Sequence, residues 1–212
     1  MAAGAFSLAA VALLCTASVA RVPTVAPAPP DPRAARELVA LMRAGEKGRW
    51  IVTYEFARTL AGGRVLRQPM QEGRAERLHV LVSGSSLTLE SGPRAYECNR
   101  VEDRSECTPS ETGRSLPAWA VLRVAVNVGA YGVRRESGET IDGQRATCFR
   151  VATTGRGYLP DLGTESDVCL ATDGIVLRQR VARPSGDVDE RVAQSVRRHV
   201  ARGAVEALAQ KF

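Results

Sequence analysis

Apolar and polar positions change period several times along this chain, and the changes mark its elements. Between Arg33 and Ala44, the residues Ala34, Leu38, Leu41 and Met42 recur at helical spacing, with Asp31 placed as N-cap and Pro32 at the first helical position. Gly45 or Gly48 is the expected stop. From Arg49 the period drops to two. Trp50, Val52, Tyr54 and Phe56 alternate with Ile51, Thr53 and Glu55, which predicts a half-buried strand. Ala61-Gly62-Gly63-Arg64 turns the chain into a second strand over 65–71. Leu78, Val80 and Val82 share one face of a third, Leu87 and Leu89 start a fourth, and 94–100 forms a fifth after the Gly92-Pro93 break. Connections this short join antiparallel strands, because a parallel crossover needs a dozen or more residues.

Mid-chain, Leu116 to Tyr131 (LPAWAVLRVAVNVGAY) is apolar nearly all round, with Arg123 its only charge. It is expected to form a helix buried on most sides, capped by Ser115 and tolerating Pro117 in its first turn. Beyond it, Asp142-Gly143 and Asp173-Gly174 punctuate alternating runs, and both residues of such a turn tolerate positive φ. They predict hairpins built from strands at 138–141, 144–153, 165–172 and 175–183. The stretch 155–163, with Gly155, Gly157, Pro160 and Gly163, reads as a mobile loop. Val188, Val192, Val196 and Val200 recur every fourth residue, a spacing that suits one face of a helix or of a strand. A strand over 189–198 is favoured, followed by a short helix near 205–210. The expected class is α+β, with about ten antiparallel strands around an inserted apolar helix and a further helix at the N-terminal side.

The first twenty residues carry no charge and end in Ser18-Val19-Ala20, a small-residue cleavage pattern, so 1–20 reads as a signal peptide. The same run is long enough for an uncleaved membrane anchor, and Cys15 offers a lipidation site, although Leu14 before it is larger than the small residue expected there. Each alternative places the body outside the cytoplasm, whether secreted or held at the outer face of the cytoplasmic membrane. Residues 21–32 hold five of the eleven prolines and form an extended linker. A single domain over 33–212 remains. It contains Cys98, Cys107, Cys148 and Cys169, an even number that predicts two disulfides in an exported chain. Four cysteines allow three pairings, of which the sequential one is favoured. No metal site is expected: CxxC spacing is absent, and His79 and His199 lie near no cysteine.

The net charge of +6 is almost wholly arginine, scattered rather than striped, and aromatics are only 5% of the chain, which argues against nucleic-acid binding. The chain has no nucleophile elbow, phosphate-binding loop or dinucleotide fingerprint. His79 reads as a surface or satisfied histidine. Glu102, Asp103, Asp187 and Asp189 fall in loop-like segments, where acids are usually solvated. No catalytic residue, cofactor or enzyme activity is predicted, and the protein is expected to be a monomer.

The entry helix, the aromatic strand Trp50–Phe56, the mid-chain helix and the late Asp-Gly hairpins together resemble the LolA-like family of bacterial lipoprotein carriers and lipoproteins. The two cysteine pairs look like a variant found in small exported actinobacterial proteins. The resemblance implies an unclosed β-barrel with helices on its concave side and an apolar cavity for a lipid or acyl chain. The implied lining is Trp50, Val52, Tyr54 and Phe56 from the first strand, with Trp119, Leu122 and Val126 from the helix. Two other readings stand beside a lipid carrier: an envelope protein-interaction or sensor module without a lipid cavity, and a secreted hydrolase.

Overall fold

The computed structural model describes residues 30–102, 104–110, 116–155, 159–210 and 212. Expectations placed on residues 1–29, on Asp103 and on Ser115 lie outside the described residues. Helix α1 (Pro32–Lys47) forms as its sequence predicts. The Asp31 side chain accepts a hydrogen bond from Arg33 N at 2.8 Å, and Gly48 caps the far end.

Six strands follow: β1 (Trp50–Thr59), β2 (Val65–Ala75), β3 (Leu78–Ser83), β4 (Ser86–Ser91), β5 (Arg94–Val101) and β6 (Arg104–Pro109). Helix α2 (Ala118–Asn127) interrupts the series. Six more strands come after it: β7 (Tyr131–Arg135), β8 (Glu139–Ile141), β9 (Gln144–Thr153), β10 (Glu165–Leu170), β11 (Val176–Ala182) and β12 (Val188–Arg198). Helix α3 (Arg202–Gln210) closes the chain. The strands form one sheet in the order β6-β5-β4-β3-β2-β1-β12-β11-β10-β9-β7, with β8 beside β9, and each pairing is antiparallel. The path has two ends, so this is an α+β fold with an unclosed barrel. There are twelve strands rather than about ten. The additional ones are β6, which pairs along the disulfide hairpin, and β7, hidden in the tail of the apolar mid-chain run.

Helices cover opposite faces of the two halves. On the inner face, α1 and α2 pack over the β7–β9–β10 end, where Leu38 and Leu122 meet Tyr131, Val133, Phe149, Val151, Val168 and Leu170. On the outer face, α3 packs over the β2–β5 end, with Val205 and Leu208 against Ile51, Ala75, Leu78, Val80 and Leu87. A third cluster joins the two across β1 and β12, around Trp50, Val52, Tyr54 and Leu177. The cysteines pair sequentially. Cys98 faces Cys107 across β5 and β6, Cys148 faces Cys169 across β9 and β10, and both are disulfides with Cα atoms 4.0 Å apart.

Three expectations need correction. The mid-chain helix is ten residues long and only Leu122 and Ala125 are buried on it; Val124 and Val128 are 56% and 63% exposed. It packs chiefly on α1 and β7, and the chain leaves it at Gly129 (φ +69°) so that Tyr131 can start the edge strand. Its N-cap is Pro117, which makes no side-chain capping bond. The described part of the supposed mobile loop, 159–163, is a packed turn. The Tyr131 hydroxyl accepts from Leu159 N and donates to Gly163 O, and Leu162 is buried. The two Asp-Gly turns also differ: Asp142 and Gly143 both have positive φ, but at the second turn only Gly174 does. There Ala171 N donates to Ile175 O across a three-residue loop. Gly174 has no room for a side chain, since a Cβ there would sit 1.9 Å from Leu41 O in α1.

Candidate functional site: a cavity with a buried ionic wall

The inner face is apolar over one half and ionic over the other, and strand register shows why. Tyr54 lies opposite Met70, Val52 opposite Glu72 and Trp50 opposite Arg74. Glu72 in turn lies opposite Leu81 and Arg74 opposite His79, and His79 lies opposite Glu90. Directly opposed residues share a face, so Glu72, Arg74, His79 and Glu90 all point to the side of β1 that carries Trp50, Tyr54 and Phe56. The stripe Leu78, Val80 and Val82 points the other way, to α3.

Strand β12 reaches this face through an irregularity. Val52 pairs with Val196 and Thr53 with Ser195, but Tyr54 pairs with Ala193, so Gln194 is an extra residue. A one-residue insertion exchanges the faces of everything beyond it. Val196 therefore shares the inner face with Val52, whereas Val192 pairs with outward-facing Glu55 and Arg191 pairs with inward-facing Phe56. The valines spaced by four do not all share a face: Val188 and Val192 point outward and Val196 inward. The bulge carries Arg191 and Asp189 inside instead.

The resulting groups form a connected network. Arg191 Nη1 donates to Glu72 Oε2 at 2.8 Å, and its guanidinium lies 5.2 Å from the Tyr54 ring centroid. His79 Nε2 lies 2.9 Å from Glu72 Oε1, and its Nδ1 lies 3.5 Å from Glu90 Oε2. Both ring nitrogens thus face carboxylates, which suits a protonated imidazolium. Burial by itself pushes His79 down, but the hydrogen bonds to Glu72 and Glu90 outweigh it and raise the pKa above 6.5. Burial pushes Glu72 up, yet Arg191, His79 and Arg74 together hold it at about 2. Tyr54 is raised, chiefly by burial and next by the charge of Glu72; its hydroxyl donates to Val176 O at 2.8 Å. A second group sits nearby. Asp189, only 6% exposed, accepts from Arg58 at 2.6 Å and from Arg183 at 2.8 Å, and these bonds lower its pKa against the opposing effect of burial.

Between this wall and the two helices lies a partly open cavity of about 440 Å³. Trp50, Tyr54, Phe56, Met70, Trp119 and Leu122 contribute its apolar lining, and Glu72, Arg74, His79, Asp189 and Arg191 its charged side. That volume is within the range of small-molecule sites. Five of the seven residues anticipated for a lining are therefore together. Val52 is fully buried in the neighbouring cluster, and Val126 lines a separate groove outside the helices. Sequence reasoning missed the ionic wall. His79 is satisfied, as expected, and half-buried. Asp189 is in a strand and buried rather than in a loop. His199 is exposed beyond the end of β12 and takes no part. Among the described residues, the one cluster with three potential metal-ligating atoms is Glu139, Cys148 and Cys169, and its two sulfurs are joined in the disulfide.

No protein-family model matches the chain, and no curated protein matches it. Similar folds occur among solved structures. One is Pseudomonas aeruginosa MucB in its complex with MucA, at 17% identity, covering 82% of this chain and 60% of that chain with a TM-score of 0.48. Another is an outer membrane lipoprotein-sorting protein domain from Vibrio parahaemolyticus, at 12% identity over 84% of this chain and 100% of that one, TM-score 0.36. A third is a LolA superfamily protein from Nitrosomonas europaea, at 9% identity over 81% and 96%, TM-score 0.36. The chain spans about 60% of the length of the MucB structure it matches. Likeness at this level concerns the chain path alone.

Proposed function

We propose that this protein is an extracytoplasmic, non-enzymatic binding protein that carries a lipid or acyl chain in the inner-face cavity. The observation behind this reading is the cavity itself: an apolar lining from Trp50, Tyr54, Phe56, Trp119 and Leu122 faces a wall of buried, mutually compensated charge. Such a two-sided site fits an amphiphile, with its chain along the aromatic strand and its polar end toward Arg191. The buried Nε of Arg191 has no hydrogen-bond partner among the described residues and supplies a donor. Two disulfides fit an oxidising compartment. None of the described helices is long and apolar enough to cross a membrane.

Native mass spectrometry of protein purified from its own host tests the reading. A co-purified lipid mass, displaced by a fluorescent acyl probe, is the expected result. A clean ligand-free mass with no probe uptake sinks it.

A further inference from the structure

The outside of the α1–α2 helix pair carries a second site, which shares Trp119 with the cavity. A groove of about 690 Å³ runs between the two helices. Arg36, Arg43, Lys47 and Arg123 are its charged lining residues, and no Asp or Glu lines it among the described residues. Its floor is apolar, with Val39, Trp119 and Val126. The guanidinium groups of Arg43 and Arg123 both lie over the Trp119 ring, 5.3 and 5.4 Å from its centroid. Neither acid of α1 lines the groove: Glu37 pairs with Arg135 at 3.0 Å, and Glu46 lines the inner cavity, where it accepts from Trp119 Nε1 at 3.0 Å.

The adjoining ridge of α2 is the one the apolar mid-chain run leaves uncovered. Leu116, Val124 and Val128 are 72%, 56% and 63% exposed, and they make up three of the six exposed large hydrophobic residues among those described. Cations, an aromatic ring at their level and protruding aliphatic side chains on one face are the chemistry of a helix lying in a membrane interface. The chain reaches this face from the uncharged stretch 1–20. Asp31 N is bonded to Val133 O at 2.8 Å beside the start of α1. The eleven residues 21–31 between them reach about 34 Å when extended.

We propose that the α1–α2 face docks on an anionic phospholipid surface, with Arg36, Arg43, Lys47 and Arg123 meeting the phosphates and Val124 and Val128 entering the interface. The test uses the full chain with two kinds of vesicle, one of phosphatidylcholine and one an equal mixture of phosphatidylcholine and phosphatidylglycerol. Residues 1–20 are uncharged, so preference for the anionic vesicle reports the charged face and not insertion of that segment. The expected result is a preference that falls as salt rises. Each cation at an anionic surface strengthens binding about fivefold, so Arg36→Glu with Arg123→Glu weakens anionic binding about twentyfold or more. The same charge change at Arg94 and Arg104, on the remote β5–β6 hairpin, leaves it intact. Equal binding to both vesicles overturns the proposal, as does a preference that survives the Arg36→Glu/Arg123→Glu change with an unaltered circular dichroism spectrum. Loss of vesicle preference with selective retention of an acidic peptide also overturns it, in favour of a protein partner.

Discussion

The two halves of the sheet are built from the same alternating strands, yet they bury opposite faces. At the β7–β11 end, α1 and α2 sit inside, and Phe149, Val151, Val168 and Leu170 make an apolar core beneath them. At the β2–β5 end, α3 sits outside and takes the apolar stripe of β3. The inner face there is left to Glu72, Arg74, His79 and Glu90. Alternation supplies one apolar and one polar face per strand; helix placement decides which becomes core. The ionic wall exists because the apolar side of that half is already covered from behind.

The sharpest way to break the contrast is at the contact that seats the inner helix. Gly174→Ala drives a Cβ into Leu41 O and Gly45 N of α1 and forces alanine to φ +83°. Overpacking against rigid backbone together with left-handed strain is expected to cost about 4 kcal/mol, read from urea unfolding. Gly73→Ala is the matched change under α3. Its Cβ meets the Leu208, Val205 and Ile51 side chains, at 2.7, 3.1 and 3.3 Å, rather than backbone, so the loss is expected to be about 1 kcal/mol. Equal losses would contradict the assignment of these two contacts.

Next in size is the ionic wall. Arg191→Leu removes the strongest compensating charge from Glu72 and is expected to cost about 3 kcal/mol. Adding Glu72→Leu should recover part of that loss, because it removes a carboxylate left with only His79 and Arg74 to compensate it, while taking one partner from His79. A double-mutant cycle that shows simple additivity would mean the two groups do not interact. The disulfides separate the halves similarly. Opening Cys148–Cys169, whose two residues lie in the core, is expected to lower stability by about 3 kcal/mol. Opening Cys98–Cys107 frees β6, exposed along its whole length, so hydrogen exchange should rise in that hairpin while the unfolding midpoint moves less.

The smallest effect is a pH dependence confined to the ionic half. The raised pKa of His79 contributes stability that is fully present below 6.5 and is lost as pH rises through its folded value. The lowered pKa of Glu72 contributes stability that is present above 4.5 and is lost as pH falls toward about 2. The melting temperature should therefore decline on both sides of that window. His79→Gln should flatten the alkaline decline and also move the acid limb upward, because His79 helps to hold Glu72 down; an unchanged alkaline limb in that variant would assign the titration to another group.

Strand positions, both disulfides and the α1 caps were legible because each depends on local spacing or on residues adjacent in a hairpin, whereas the aromatic part of the cavity lining came only from the family resemblance. Even His79 was within reach: it alternates with Leu78 and Val80, so parity places it opposite their apolar stripe. Arg191 was not. The four-residue spacing of Val188, Val192 and Val196 says that they share a face, and the extra residue Gln194 reverses this. A bulge appears only in the register between two strands that are over a hundred residues apart in sequence.

The apolar run from Leu116 to Tyr131 shows the same division. By itself the sequence determined that this segment starts as a helix, that antiparallel strands flank it, and that two cysteine pairs pin them. Only the tertiary structure decided that the helix ends at Asn127, buries Leu122 and Ala125, and leaves Val124 and Val128 exposed. Hydrophobicity sets how much surface favours burial, but burial needs a partner. Here the helix packs chiefly on α1 and β7 through Leu122 and Ala125, and its apolar surface at Val124 and Val128 remains exposed.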